Sequence, residues 1–224
     1  LRCLVGSEMC IRDSLKEHRL TPRIADTAKA LYIIYLGVSV ACAISYHLAG
    51  MEWEDAIMHM MTTVSLSGIG THDASFAYFN SPAVDAVAIV FMLISGFNFS
   101  LHFMVWRRRN FLIYLQDAEA KAWIATAALM SALTIIVLAD AHVYETSAET
   151  VRHALFSVVS VITTTGYATV DYASWPLGLP ILLLVAAAFS TCAGSTGGGI
   201  KMVRLLIILG MIRREMTKLL YPKA

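Results

Sequence analysis

Residues 190–205 read STCAGSTGGGIKMVRL, and the run from Gly194 to Lys201 permits two readings that lead to different folds. A glycine-rich turn followed by a basic residue and an apolar helix fits a phosphate-cradling loop in a soluble α/β unit. It also fits a break inside a membrane helix. As a phosphate loop it is deficient: Gly194 and Gly199 have Walker A spacing, but Ile200 stands where Lys is required and Lys201 where Ser or Thr would hold Mg2+. Such a loop also follows a strand, whereas here a largely apolar segment runs up to it from Pro176. A continuous helix from Pro176 to Ile212 would contain 37 residues. At 1.5 Å per residue that is about 55 Å, against about 30 Å of bilayer hydrocarbon. Each helical glycine costs about 1 kcal/mol relative to Ala, so the interruption belongs at 194–199, at membrane depth. Lipid offers backbone groups no hydrogen bonds, so this loop must face protein or water.

The composition agrees with the membrane reading. Of 224 residues, 58% are hydrophobic and only 15% charged, more apolar than an ordinary soluble domain. The net charge of +1, from 17 Lys and Arg against 16 Asp and Glu, gives no polyanion footprint, and no nucleic-acid partner is expected. Cys42 and Cys192 lie in apolar segments, Cys3 and Cys10 near the N-terminus, and no CxxC pair or disulfide framework can be drawn. No Ser/His/Asp or paired-carboxylate constellation emerges, so the chain is not expected to be an enzyme. The stretch LRCLVGSEMCIRDS (1–14) has no initiator Met and no helical or strand periodicity. It is read as a non-native leader and set aside, which makes the chain a piece of a longer protein.

Residues 27–50, 82–106 and 122–141 each read as a spanning helix, and a fourth span begins near Pro176. Residues 54–66 and 149–163 are apolar but too short or too polar to span, and each runs into a Gly/Thr segment, the pattern of a re-entrant half-helix. Shifting the sequence by 98 residues places Ala56 on Ala154, Gly68 on Gly166, Thr71 on Thr169, Pro82 on Pro180 and Gly96 on Gly194 without a gap. Both copies run in the same direction, so rotation about the membrane normal relates them. The expected fold is an all-α membrane protein of two parallel repeats, each a transmembrane helix, a re-entrant pore half-helix with its filter loop, and a second transmembrane helix. The divisions are 15–26, a cytoplasmic segment leading in; 27–110, the first repeat; 111–121, a cytoplasmic linker; 122–212, the second repeat, broken at 194–199; and 213–224, a basic cytoplasmic tail. Arg107, Arg108, Arg109, Arg213 and Arg214 gather at the outer ends of these units and acids near the half-helices, which puts the basic ends in the cytoplasm and turns the re-entrant loops outward.

Each half-helix leads into a short motif, SLSGIGT (65–71) or TTTGYAT (163–169). A cation crossing a bilayer must exchange its hydration oxygens for fixed ones, and backbone carbonyls converging on an axis supply them. The candidates are Leu66, Ser67, Gly68 and Ile69 in the first copy and Thr164, Thr165, Gly166 and Tyr167 in the second. Glycine at 68 and 166 permits backbone angles that a side chain would forbid. Asp73 and Asp171 would concentrate cations at the outer mouth; helix N-capping or plain solvation is the alternative. Lys201 would supply a positive barrier or anchor the loop, with snorkelling to the cytoplasmic interface as the alternative. Ser195 and Thr196 are expected to donate to freed backbone groups. His59 and His153 read as packed polar residues, the Met-rich run at 58–61 as core filler, and Phe97, Asn98 and Phe99 as the first repeat's counterpart of the break.

TTTGYAT, THDASFAYFNSP, LISGFNF and above all CAGSTGGGIKMVRLL resemble the potassium-translocating membrane subunit of bacterial Trk systems, within the wider Trk/Ktr/HKT superfamily. The resemblance runs from about Thr21 to the C-terminus. It implies K+ as the transported and bound ion, with no covalent cofactor, and four such units around one pore in the bacterial inner membrane, of which this chain is the second and third. It also implies that Gly194, Ser195, Thr196, Gly197, Gly198 and Gly199, with Lys201, form a gate below the filter. A dimeric parent and a cytosolic regulatory subunit that binds NAD or another nucleotide follow from it too. Leu66 and Ser67 depart from the Thr-Thr of 164–165, which leaves any side-chain role there open. A secondary transporter binding a cation or solute between broken helices is the alternative; it would favour inverted repeats and intramembrane acids.

Overall fold

A computed structural model describes residues 24–176, 178–188 and 191–220; the leader at 1–14 lies outside the described residues. The regular structure among them is all helical, with no strand. Helix α1 (Ile24–Leu48) is the first span. It stops at a reversal in which Gly50 takes φ +108° and the Met51 amide bonds back to the Tyr46 carbonyl at 3.1 Å. Helix α2 (Trp53–Val64) begins at once, with Glu54 and Asp55 in its first turn, where acids suit the helix dipole. Its 12 residues reach about 18 Å, too short to cross a bilayer. After a 3-10 turn at Ser75–Tyr78, Pro82 opens α3 (Pro82–Gly96) at the position where a missing N–H costs nothing. Helix α4 (Phe99–Arg108) and a short α5 (Leu112–Gln116) lead to the second unit.

The second unit repeats the plan. Helix α6 (Ala118–Asp140) is capped by Asp117, which accepts from the Ala120 amide at 2.7 Å. Helix α7 (Ser147–Ile162) is capped by Thr146, which accepts from the Glu149 amide at 3.2 Å. Helix α8 (Gly178–Ala188) and, beyond a non-helical stretch, α9 (Met202–Leu220) complete it. In each unit the first helix packs along its half-helix, α1 on α2 and α6 on α7, while α3 crosses to α7 and ties the units together. The core shows the same interlock: the cluster around Tyr46, Val64, Phe76 and Met92 in the first unit takes in Phe156, Val159 and Tyr167 from the second. Ala56 and Ala154, related by the repeat, are both fully buried.

The expected single span over 82–106 is broken. Helix α4 leaves α3 at 94°. The turn sits at Phe97 and Asn98, both extended, and the Asn98 side chain caps α4 by accepting from the Ser100 amide at 2.9 Å. Gly96 lies against the Trp123 indole, 2.7 Å from where a Cβ would be, so the chain passes closer to α6 than any other residue would allow. Helices α1 and α6 are each long and apolar enough to cross a membrane, and α3 with α4 passes that test only as a bent pair. The run 58–61 is core only in part: Met60 packs against the core and His59 is buried, but Met58 and Met61 are exposed, because one face of α2 meets the other described residues.

Candidate functional site

Both half-helices end in the same way. Leu66 (φ +55°) and Thr164 (φ +59°) adopt the left-handed conformation and close matching Schellman motifs. The Leu66 and Ser67 amides bond to the Thr63 and Thr62 carbonyls at 3.2 and 3.0 Å, and the Thr164 and Thr165 amides to the Val161 and Ser160 carbonyls at 3.0 and 2.9 Å. Two residues on, Gly68 (φ +67°) and Gly166 (φ +90°) turn the chain again. The left-handed bend therefore comes twice in each loop, and its first instance falls on a non-glycine residue that the motif alone did not mark.

The loops meet directly. A Cβ on Gly68 would collide with the Thr165 carbonyl group, so the two candidate segments touch backbone to backbone. Tyr167, fully buried, reaches from the second loop to the end of α2, where its hydroxyl lies 2.5 Å from Thr62 Oγ1 and 3.2 Å from Thr63 Oγ1. Tyr46 of α1 completes the network at 2.7 Å from Thr63 Oγ1. The Tyr167 carbonyl accepts from Ser160 Oγ at 2.7 Å, and Ile69, its counterpart, is exposed. Hydroxyl pairs recur across the repeat, Ser65 with Ser67 at 3.0 Å and Thr163 with Thr165 at 2.7 Å.

The C-terminal ends of both loops are braced by the half-helix behind them. Thr71 donates to Asp55 at 2.7 Å, and His153, at Asp55's place in the second copy, bonds Thr169 at 3.1 Å. The Thr71 bond, with His72 beside it, holds the Asp55 carboxyl below the usual carboxylate range. His59 bonds the Asp55 carbonyl through Nδ1 at 2.9 Å and packs among Phe76, Phe79 and Tyr167. Asp171 accepts from the Ala173 amide at 3.0 Å, a capping contact, and lines an open hollow of about 480 Å³ with Ala74, Ala77, Ala168 and Tyr172. Asp73 is exposed beside it.

The glycine-rich segment docks on the C-terminal ends of both half-helices. Thr196 Oγ1 donates to the Val64 carbonyl, an unpaired helix-end acceptor, at 2.8 Å. The Gly198 amide donates to Thr164 Oγ1 at 2.7 Å. Gly197 lies so near Thr191 and the Thr163 carbonyl that a Cβ would come within 3.0 Å of the latter. Gly194 (φ +75°) sits against Asn98, and its carbonyl accepts from the Phe99 amide at 3.2 Å, so the two helix breaks of the repeat are bonded to each other. Gly199 (φ +74°) turns the chain back toward α9. Lys201 Nζ donates to Thr191 Oγ1 at 3.1 Å, to Ser195 Oγ at 3.3 Å and to the Gly197 carbonyl, so it ties the segment together from within. Ser195 Oγ in turn donates to the Cys192 carbonyl at 2.7 Å. One further residue takes part that no motif marked: Glu119, in the first turn of α6, whose Oε1 accepts from the Ala193 amide at 2.6 Å and the Val203 amide at 3.0 Å.

Parallel units of helix, re-entrant half-helix and helix, with loops meeting at their tips, define an all-helical membrane protein of the pore-loop type. A family profile described as cation transport protein, TrkH, matches residues 8–224, and the chain belongs to that family. It is 46% identical over 210 residues to the Trk system potassium uptake protein TrkH of Halomonas elongata, covering 94% of this chain and 43% of that protein. To the protein of the same description in Escherichia coli K12 it is 42% identical, again over 94% of this chain and 44% of the relative. The crystal structure of the potassium transporter TrkH from Vibrio parahaemolyticus superposes with a TM-score of 0.87 at 43% identity, over 91% of this chain and 44% of that one. The chain thus spans less than half the length of the relatives it matches. Membership places it among membrane transport proteins and not enzymes.

Proposed function

We propose that this chain supplies two adjacent units of a four-unit pore for potassium uptake across the bacterial inner membrane. Carbonyls of Leu66, Ser67, Gly68 and Ile69 and of Thr164, Thr165 and Gly166 form the filter, with Tyr167 serving more as the brace behind it. The observation that carries this reading is the contact of Gly68 with the Thr165 backbone: loops that touch at their tips aim successive carbonyls at one axis. In a ring, Gly166 repeats that contact with the following unit. The C-terminal ends of α2 and α7 add their partial negative charge at the inner end of the filter. Asp73 and Asp171 make the outer mouth acidic. Residues 194–199 and Lys201 form the gate; the hydrogen bonds of Thr196 to Val64 and of Gly198 to Thr164, at the ends of the half-helices, support this reading. The basic ends face the cytoplasm by the positive-inside rule; the whole protein acts as a homodimer and a cytosolic nucleotide-binding subunit regulates it, two assignments that rest on the family. The names of the relatives, potassium uptake proteins, support the choice of ion.

The test is flux through the full-length protein in proteoliposomes. At φ +90° a serine side chain strains the backbone by about 1–2 kcal/mol, so Gly166→Ser is expected to lower discrimination of K+ over Na+ by about tenfold. Unchanged discrimination with normal K+ flux would remove Gly166 from the filter.

A further inference from the structure

We infer that Glu119 is the positioning residue that holds the two feet of the glycine-rich segment together, so that the cytoplasmic turn of α6 controls the gate. The inference rests on the gate reading above and extends it to a residue outside the segment. Glu119 stands 74 residues before Ala193 and 84 before Val203, yet a single oxygen, Oε1, accepts both amides. One amide is the last before Gly194; the other lies in the first turn of α9, among the N–H groups that a helix cannot satisfy for itself. A carboxylate on such donors makes strong charge-assisted bonds and opposes the positive end of the helix.

The remaining contacts give this bond its leverage. On the filter side the segment is held by neutral hydrogen bonds, Thr196 to Val64 and Gly198 to Thr164. Lys201 closes it internally, bonding Thr191, Ser195 and Gly197. The feet are joined directly by the Met202 amide, which donates to the Thr191 carbonyl at 2.9 Å. Glu119 adds a tie from outside the segment, bonding residues 193 and 203 to α6 through one oxygen. It lies two residues after Asp117, which caps α6, and close behind α5 and the linker after Arg107, Arg108 and Arg109. A displacement of that turn therefore pulls on both feet at once.

Hydrogen exchange and flux, measured on the full-length protein, test this together. In Glu119→Ala, exchange of peptides covering 191–204 should quicken about tenfold while peptides covering 62–70 stay as protected as in the unsubstituted protein. Unstimulated Rb+ uptake should rise about tenfold with K+ over Na+ discrimination unchanged. Glu119→Gln keeps an acceptor oxygen without the charge and should give an intermediate effect of two- to threefold in both measurements, which a general loss of folding would not produce. Unaltered exchange at 191–204 in both variants would overturn the latch whatever the flux does. A deletion of 195–198 separates the two readings. If that deletion raises uptake but the Glu119 variants speed exchange without raising it, control of the gate by Glu119 is overturned. If the deletion leaves uptake unchanged in a well-expressed protein, the gate reading itself fails, and the exchange data alone decide whether Glu119 holds the feet.

Discussion

Leu66 and Thr164 hold the same backbone conformation at the same place in the repeat, and their side chains explain why they differ. A left-handed non-glycine residue costs about 1–2 kcal/mol, so each must be held by something. Leu66 is 4% exposed and packs in the first unit's core, whereas Thr164 turns its hydroxyl to the Gly198 amide. The divergence seen in sequence at these positions thus separates a packing role from a docking role, with the carbonyls unaffected. Thr164→Val keeps the branched shape and removes the acceptor, at about 1 kcal/mol for the lost hydrogen bond. Unstimulated uptake by the full-length protein should rise about fivefold; unchanged uptake in a normally expressed protein would show that docking at Thr164 does not hold the segment.

At the scale of the elements, each half-helix carries a Gly-containing loop from its end and braces the far end of that loop from its first turns. The brace is Asp55 with Thr71 in one unit and His153 with Thr169 in the other. Because Asp55 is held below its ordinary range, the native state takes up a proton less readily than the unfolded chain. Its contribution is complete above the unfolded value of about 3.9 and disappears as pH falls through the lower native one. Thermal stability of the detergent-solubilised protein should therefore fall more steeply below about pH 4 than that of Asp55→Asn; parallel profiles would show that the brace contributes nothing. The half-helices and the break at 194–199 were legible in the sequence because short apolar runs ending in Gly/Thr, and four closely spaced glycines, leave no helical alternative. The 94° break at Phe97 and Asn98 was not. FNF interrupts no hydrophobic run, and only the repeat, by placing Gly96 on Gly194, pointed to it. Glu119 was illegible for another reason: its partners lie 74 and 84 residues away, and nothing local to it distinguishes it from an ordinary first-turn acid.

Across the whole molecule, the units are joined by a polar contact that the repeat does not duplicate. Asp85 of α3 is wholly buried and bonds Arg152 of α7 at 2.6 Å, and Arg152 also reaches Asn80 at 3.4 Å. The repeat places Glu54 at the counterpart of Arg152 and Leu183 at that of Asp85, so this pair belongs to the junction of the units and not to either one. Removing one partner of a buried pair leaves an uncompensated charge and costs about 3–5 kcal/mol, whereas replacing both by apolar groups is often close to neutral. Arg152 keeps a side-chain exposure of 19% against 0% for Asp85, so the stranded charge is the worse when it is the aspartate. Arg152→Met alone should therefore cost about 3–5 kcal/mol and Asp85→Leu alone somewhat less, with the double substitution recovering at least about 2 kcal/mol of their sum. Reversible unfolding of the full-length protein in mixed detergent measures all three. Additive losses would mean that the units are held by the packing of α3 on α7, with Phe156 and Tyr167 in the first core, and that the ion pair is incidental to the junction.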